Sequence, residues 1–250
     1  MKAADPRHHV AGLLARAAAF LARHRATPGA HATYAYFTEH PVAPLNRKRL
    51  ATILGEIQAG ARAKGRPLRV LDLACGGGII GATIAAAGHT LLGLDRDPEE
   101  VRLARLFTGE EKLGGTFWVV DVLADREWEV RVDAFLQGQP DVVVLAYALH
   151  HLPHVETFVA RLARWLASGR VLLINEENPA SPLFRLKHVA RTWIQRDTDA
   201  EWHRSFAGWR RLLASHGFET TPPIGLDLMP GMARILPGRC WSLVFRAERK

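Results

Sequence analysis

The residues best suited to chemistry are a glycine-rich loop and the acidic side chains around it. Residues 70–81 read Val-Leu-Asp-Leu-Ala-Cys-Gly-Gly-Gly-Ile-Ile-Gly. An apolar run that ends in glycines and continues into a helical pattern predicts a strand, a tight loop and a helix. Glycines permit sharp turns and let a ligand approach the main chain closely. The N-terminus of the following helix offers backbone N–H groups that have no partner within the helix. The pattern therefore predicts a ligand-binding loop.

Three aspartates lie at or near the ends of successive predicted strands: Asp72, Asp95 and Asp121. In open α/β sheets, ligands bind outside the carboxyl ends of the strands. The loop glycines also satisfy the G-x-G-x-x-G spacing of dinucleotide-binding proteins. However, the loop contains no Lys or Arg, and nearby carboxylates repel a diphosphate. The pattern favours a cationic ligand, with ordinary turn and helix-capping chemistry as the alternative for each aspartate.

Strands and helices alternate through the middle of the chain, which indicates a parallel sheet with helices on both faces. The predicted strands are 68–74, 90–94, 116–120, 141–146 and 170–175, and the predicted helices between them are 79–87, 98–107 and 155–166. Before the sheet, the periodicity predicts helices at 7–26 and 44–63, separated by an irregular aromatic stretch at 31–43. After it, the pattern predicts helices at 183–194 and 205–215 and strands from 218 and at 240–247.

Residues 72–78 resemble the D/E-x-G-x-G-x-G first motif of the class I S-adenosylmethionine-dependent methyltransferases, with Ala74 at the first glycine position. The stretch 141–152 is similar to the fourth-strand motif of the small-molecule members of that family. The resemblance spans roughly residues 68–175. It implies an α/β fold with a Rossmann-like, seven-stranded, mostly parallel sheet, helices on both faces and an antiparallel last strand.

The resemblance also implies a domain organisation. Residues 1–65 would form an N-terminal helical cap, and residues 66–250 the Rossmann-like methyltransferase domain, with 178–217 as a helical insertion on the substrate side. Three aromatic side chains of the cap have two possible roles. They would either line the mouth of the site or pack between cap and sheet; they are Tyr34, Tyr36 and Phe37.

The cofactor that the resemblance implies is S-adenosylmethionine. Asp95 matches the family's acidic residue for the ribose hydroxyls, and Asp121 the residue that contacts the adenine amino group, with the Val122 backbone N–H facing the ring. The predicted cofactor-binding residues are Asp72, Ala74, Gly76, Gly78, Asp95, Arg96, Asp121, Val122 and Ala146.

Methyl transfer by direct displacement requires the acceptor atom to be held in line with the sulfonium carbon. A hydroxyl or amine acceptor can also require a base. His151 is the first candidate, since imidazole titrates near neutral pH, followed by His150 and Glu176. A mechanism that relies on proximity alone is the alternative. No metal site is predicted, because the three histidines at 150, 151 and 154 do not match a helix face and no carboxylate-rich segment adjoins them.

Composition bounds the partners and the compartment. The net charge is +8, but the arginines are scattered, which favours a small-molecule acceptor over nucleic acid. No apolar run approaches the roughly 20 residues of a membrane helix. Cys75 and Cys240 show neither disulfide nor metal-ligand spacing, which favours a cytoplasmic protein. Nothing in the sequence indicates an oligomeric state.

The predicted activity is methyl transfer to an oxygen or nitrogen atom of a small molecule. One alternative is an RNA or other nucleic-acid methyltransferase, although no Asn-Pro-Pro-aromatic stretch follows the fourth strand. A second is an enzyme that uses the same cofactor for cyclisation or elimination. A third is an NAD-dependent oxidoreductase, although no Tyr-x-x-x-Lys pair is evident.

Overall fold

The computed structural model describes residues 5–182, 184–185, 203–227 and 240–250, and these ranges form an α/β fold. The α-helices in them are α1 (Pro6–Arg23), α2 (Ala30–Thr38), α3 (Ala43–Lys64), α4 (Ile79–Ala86), α5 (Pro98–Glu110), α6 (Trp128–Leu136), α7 (Val155–Trp165) and α8 (Phe206–Ser215). The strands are β1 (Arg69–Leu73), β2 (Thr90–Asp95), β3 (Thr116–Val119), β4 (Val142–Ala146), β5 (Val171–Glu177), β6 (Phe218–Thr220), β7 (Ile224–Leu226) and β8 (Ser242–Arg249). A short 3-10 turn spans Leu149–His151.

The strands form a sheet in the order β3-β2-β1-β4-β5-β8-β6, and β7 pairs with β8 beside this path. Strand β2 runs parallel to both β1 and β3, with Asp72 opposite Gly93 and Asp95 opposite Val119. Strand β8 runs antiparallel to β5, β6 and β7. The seven strands of the continuous path and the antiparallel last strand confirm the predicted Rossmann-like sheet, and the short β7 is an addition to it.

Contacts along the chain define two compact units, Met1–Val144 and Leu145–Lys250. In the first unit, the N-terminal helices share a hydrophobic core with α4 and α5. Its larger members are Val10, Leu13, Phe20, Leu21, Tyr34, Leu54, Ile79, Leu103 and Phe107. The predicted cap is therefore packed against the helices that follow β1 and β2, and its separate role as a cap stays a prediction.

Two helices differ from the sequence prediction. Residues 30–38 form helix α2 where an irregular stretch was predicted, because burial of Tyr34 and Ala35 outweighs the modest helix propensity of Tyr, Thr and Phe. Helix α6 was not predicted, although its buried side chains at 128, 132 and 136 follow helical spacing. The predicted helix at 183–194 lies outside the described residues, apart from residues 184 and 185.

A buried carboxylate fixes the amino end of β4. The Asp141 side chain is fully buried and lies 2.8 Å from both the Lys64 Nζ and the Arg66 Nη1, and it accepts the Arg69 backbone N–H at 3.0 Å. Burial by itself raises the pKa of Asp141, but the hydrogen bonds from Arg66, Arg69 and Lys64 outweigh it and hold the pKa well below its usual range. This cluster connects the end of α3 to the start of β1 and β4, opposite the edge where the strands end.

Candidate functional site

The glycine loop joins β1 to α4 with three residues in the left-handed region: Ala74 (φ 56°), Gly76 (φ 49°) and Gly78 (φ 75°). A Cβ atom on Gly78 would lie 2.7 Å from the Ala104 Cβ and 2.9 Å from the Phe117 ring, so the start of α4 accepts only glycine. Ala74 is exposed. Its left-handed backbone costs roughly 1–2 kcal/mol relative to the ordinary conformation. The loop makes the sharp turn that its glycines predict.

Helix α2 lies against this loop through a buried tyrosine. The Tyr34 hydroxyl is 2.9 Å from the carbonyl oxygen of Gly77 and 3.1 Å from that of Leu103. The ring packs against Phe20 and Phe107, and the side chain is fully buried. Of the two roles considered for Tyr34, the structure shows packing. Tyr36 and Phe37 are half-buried and contact each other edge-to-face.

Asp72 is a buried carboxylate near the end of β1. The residue is 1% exposed, and its Oδ2 has no hydrogen-bond partner among the described residues. Burial raises the pKa of Asp72 to about 7, with a further contribution from the Asp95 carboxylate and a partial offset from the Gly81 N–H. A buried carboxylate without a counter-charge is costly. A cationic ligand removes that cost, whereas a diphosphate adds to it.

Asp95 holds two backbone segments. Its Oδ2 accepts the N–H of Gly76 in the glycine loop at 2.8 Å, and its Oδ1 accepts the N–H of Asp97 at 2.9 Å. Asp97 in turn caps α5 by accepting the Glu99 N–H. Each carboxylate oxygen has a second lone pair, so Asp95 retains capacity to accept ligand hydroxyls. The turn chemistry is present, and the role at the ribose stays a prediction, as does that of the exposed Arg96.

Glu100 contacts the loop and was missed at the sequence level. Its Oε1 accepts the Thr33 hydroxyl at 2.8 Å, and its Oε2 lies 3.1 Å from the position of a Cβ on Gly77. Burial raises the pKa of Glu100, the Thr33 hydroxyl lowers it, and the Asp95 carboxylate raises it again. Glu100 stands three residues after Asp97, a spacing typical of a capped helix start. Its pattern therefore pointed to helix chemistry and gave no reason to expect a contact with the loop.

Asp121 and Val122 follow the third strand. The Asp121 side chain is exposed, and its Oδ1 accepts the N–H groups of Leu123 and Ala124 at 2.9 and 3.2 Å. The Val122 carbonyl accepts the Trp128 indole N–H at 3.1 Å. Asp121 thus stabilises its own turn, the alternative considered for the aspartates. The adenine contacts assigned to Asp121 and Val122 remain predictions.

In the second unit, a sharp turn follows β4. Ala146, a predicted cofactor contact, is half-buried at the end of the strand, and Tyr147 has a left-handed backbone with φ 55°. The Tyr147 N–H donates to the Asn175 carbonyl of β5 at 2.8 Å. The chain then enters the 3-10 turn that carries His150 and His151.

The three predicted catalytic residues are neighbours in this unit. The His150 Nδ1 lies 2.5 Å from the Glu176 Oε2, and the Glu176 Oε1 accepts the Leu149 N–H at 2.8 Å. Both side chains of this pair are buried. His151 is exposed, and the centroid of its ring lies 4.0 Å from that of the His150 ring. The structure brings the three together as a buried imidazole–carboxylate pair beside an exposed imidazole.

His203 joins this cluster from a distant part of the sequence. Its ring stacks on that of His150, with centroids 4.7 Å apart and planes inclined by 23°, and the Phe184 ring meets it edge-on at 4.7 Å. A contact between residues 53 positions apart leaves no periodic signal in a single sequence.

Two further features limit the chemistry. Within the described ranges, no three His, Cys, Asp or Glu side chains are grouped so as to hold a metal ion. Burial, followed by the Asp72 and Asp95 carboxylates, raises the pKa of the Cys75 thiol well above its usual value. Cys75 therefore stays protonated and suits packing, not nucleophilic attack.

None of the helices described is both long and apolar enough to cross a membrane.

Solved structures share this fold. The magnesium protoporphyrin IX methyltransferase from Synechocystis PCC 6803 with bound SAH superposes with a TM-score of 0.61 at 21% identity, covering 84% of this chain and 88% of that one. The YcgJ protein from Bacillus subtilis superposes with a TM-score of 0.57 at 16% identity, covering 81% and 98%. These likenesses show that the chain has a Rossmann-like α/β fold.

The chain belongs to the methyltransferase-domain family, whose model matches residues 7–222. It is 29% identical over 183 residues to a ubiquinone biosynthesis O-methyltransferase of Psychrobacter cryohalolentis, covering 68% of this chain and 67% of that protein. A protein of the same description from Bordetella parapertussis is 32% identical over 170 residues, covering 65% and 66%. Another, from Xanthomonas oryzae pv. oryzae, is 29% identical over 161 residues, covering 63% and 61%. The chain thus spans about three fifths to two thirds of these relatives' length. The family confirms the resemblance seen at residues 72–78.

Proposed function

We propose that this chain transfers the methyl group of S-adenosylmethionine to a hydroxyl oxygen of a small-molecule acceptor. The observation that carries the proposal is Asp72, a buried carboxylate with an unpartnered oxygen beside the glycine loop of a methyltransferase-family chain. The curated relatives are described as O-methyltransferases, which supports oxygen as the acceptor atom.

The side chains around the loop fit this cofactor. Asp72 and Asp95 supply negative charge for a sulfonium and an ammonium group and acceptors for hydroxyls. The backbone at Ala74, Gly76 and Gly78 allows close approach of a ligand. The remaining proposed contacts are Arg96, Asp121, Val122 and Ala146. When bound, S-adenosylmethionine supplies an electrophilic methyl group attached to a positively charged sulfur.

For the base, we propose His150, oriented by Glu176. The bond between the His150 Nδ1 and the Glu176 carboxylate fixes the ring and stabilises the imidazolium that forms when the ring takes a proton. In this role the imidazole would accept the proton of the acceptor hydroxyl as that oxygen takes up the methyl group that the bound cofactor would supply. The exposed His151 is the second candidate, and it would meet the acceptor directly.

The proposal is tested by incubating the protein with methyl-labelled S-adenosylmethionine and a panel of phenols, catechols, carboxylic acids and amines. The expected result is label in an oxygen-methylated product. His150→Gln and Glu176→Gln should lower kcat by about 100-fold or more, the usual contribution of a positioned base. His154→Asn is the matched control, because it replaces a nearby exposed histidine whose left-handed backbone suits asparagine.

Two outcomes would contradict this account at different levels. Labelled products found only among the amines would exclude the oxygen acceptor. An unchanged kcat in both His150→Gln and Glu176→Gln would show that His150 is not the base, and the proposal of methyl transfer would still stand.

A further inference from the structure

A second set of contacts surrounds the glycine loop on the side of the N-terminal helices. Thr33 of α2 donates its hydroxyl to the Glu100 Oε1 at 2.8 Å. Glu100 belongs to the first turn of α5, and its Oε2 faces the backbone of Gly76 and Gly77. The half-buried Glu100 carboxylate therefore links α5, on which it lies, to α2 and to the loop. Neither the sequence motif nor the proposed mechanism uses it.

The fit between α2 and the loop is also steric. A Cβ atom on Gly77 would lie only 2.2 Å from the Thr33 Cγ2, closer than non-bonded atoms approach. The next nearest atoms would be the Glu100 Oε2 at 3.1 Å and the Thr33 Cβ at 3.4 Å. The adjacent Tyr34 hydroxyl contacts the Gly77 carbonyl at 2.9 Å. Two consecutive residues of α2 thus cover one residue of the loop.

The charges nearby explain why this contact would respond to the ligand. Glu100 faces Asp95 at the end of β2 and Asp97 just after it. It also faces the Thr33 hydroxyl on α2 and the Gly77 N–H of the loop. Asp95 is in turn the neighbour that adds to the perturbation of Asp72. A cation at the loop lowers the cost of keeping these carboxylates ionised together. An ionised Glu100 is the stronger acceptor for the Thr33 hydroxyl.

We infer that Glu100 and Thr33 are positioning residues for the cofactor, with Glu100 holding the loop from α5 and Thr33 docking α2 over Gly77. The inference rests on the proposed function, since S-adenosylmethionine is the ligand that the loop would hold. It assigns to α2 a part in cofactor affinity that goes beyond packing. Loss of the contact should raise the KM for S-adenosylmethionine and leave kcat nearly unchanged.

The hydroxyl and the methyl group of Thr33 can be tested separately by calorimetric titration with SAH. Thr33→Val keeps the shape and removes the donor to Glu100, so SAH affinity should fall about tenfold, the usual scale for a lost hydrogen bond to a charged group. Thr33→Ser keeps the donor and should stay within about threefold of the wild type. Thr38→Val is the matched control in the same helix, because the Thr38 hydroxyl donates to the Tyr34 carbonyl within α2 and to no other group in the described part of the chain.

A steric test does not depend on how well any single variant folds. Gly77→Ala should weaken SAH binding, because its Cβ collides with the Thr33 methyl group. In Thr33→Ser/Gly77→Ala that methyl group is absent, so the double variant should bind SAH more tightly than Gly77→Ala alone. Glu100→Gln should raise the KM for S-adenosylmethionine, whereas Glu99→Gln, one residue away and paired with Arg102, should not.

The outcomes separate this inference from the proposed function. If the wild type binds SAH but Thr33→Val behaves like Thr38→Val and the double variant shows no rescue, the positioning role is wrong and methyl transfer stands. If the wild type binds neither SAH nor S-adenosylmethionine, the proposed function is wrong, and the positioning role that rests on it is wrong as well.

Discussion

At the scale of single residues, Asp72 shows most clearly how environment defines a ligand. Its pKa is raised to about 7 mainly because the side chain is buried, and the nearby Asp95 carboxylate adds to the effect. The carboxyl group would otherwise titrate near pH 4. Without a bound cation, the folded protein therefore favours the protonated form of Asp72. The stability that the raised pKa contributes is present below about pH 4 and is lost as pH rises through about 7. Its Oδ2 has no hydrogen-bond partner in the described part of the chain, so a cationic ligand would supply the missing counter-charge.

Ala74 gives a prediction about backbone strain. It occupies the left-handed region at a position where the family motif has glycine. Ala74→Gly should stabilise the protein by about 0.5–1 kcal/mol, because relief of roughly 1–2 kcal/mol of strain exceeds the added entropy of a glycine in the unfolded chain. Urea unfolding measures the change. Ala87→Gly, at an ordinary φ of −83°, is the control and should destabilise. Equal effects of the two substitutions would show that Ala74 is unstrained.

Much of the site, but not all of it, follows from residue types in the sequence. The positions of Asp72 and Asp95 at the edge of the sheet follow from two short apolar strands that each run toward an aspartate. The exposure of Asp121 was less evident, because an Asx turn and a ligand contact share one sequence pattern. The contacts of Glu100 with Thr33 and of His203 with His150 were not predicted, since the partners are 67 and 53 positions apart in the sequence. Contacts of that separation depend on the whole fold.

At the scale of elements, helix starts were predicted correctly where the sequence carries a clear start signal. Pro44 and Pro98 lie near the starts of α3 and α5, as first-turn prolines do. Helix α2 lacks such a signal, because the residue before it is a left-handed glycine and no side chain caps it. Its helical form comes from tertiary burial of one face, which local propensity does not reveal.

Asp141 gives a prediction about how elements are joined. Asp141→Asn should destabilise the protein by about 2–3 kcal/mol, because it weakens charge-assisted hydrogen bonds to a fully buried acceptor, while the partly exposed Lys64 and Arg66 regain water. Denaturant unfolding at pH 7 measures the loss. Glu219→Gln, which removes an exposed ion pair with Lys250, is the control and should change stability by less than about 0.5 kcal/mol.

The same variant has an expected pH dependence. The folded-state pKa of Asp141 lies below its unfolded value, so its contribution is present above about pH 4 and is lost as pH falls toward the folded pKa. The gap between wild type and Asp141→Asn should therefore narrow in acid. A gap that stays constant from pH 7 to pH 3 would mean that the ion pairs do not stabilise the fold.

At the scale of the whole molecule, the alternation of strands and helices was enough to predict a parallel sheet with helices on both faces. The antiparallel last strand was predicted only from the family resemblance. The acceptor was not predictable in the same way. The choice of acceptor was expected to depend on residues 1–65 and 178–238, whose sequences carry no recognisable motif. The net charge of +8 likewise describes the surface as a whole and identifies no partner.

The most direct test of the central claim is calorimetric titration with S-adenosylmethionine at pH 6 and pH 8, for the wild type and Asp72→Asn. With a pKa of about 7, Asp72 is about one tenth ionised at pH 6 and about nine tenths ionised at pH 8. The wild type should therefore bind about tenfold more tightly at pH 8. Asp72→Asn should bind weakly, with only the pH dependence that the cofactor's own titration imposes. Absence of binding heat at pH 8, or identical affinities of the two proteins at both pH values, would contradict the account.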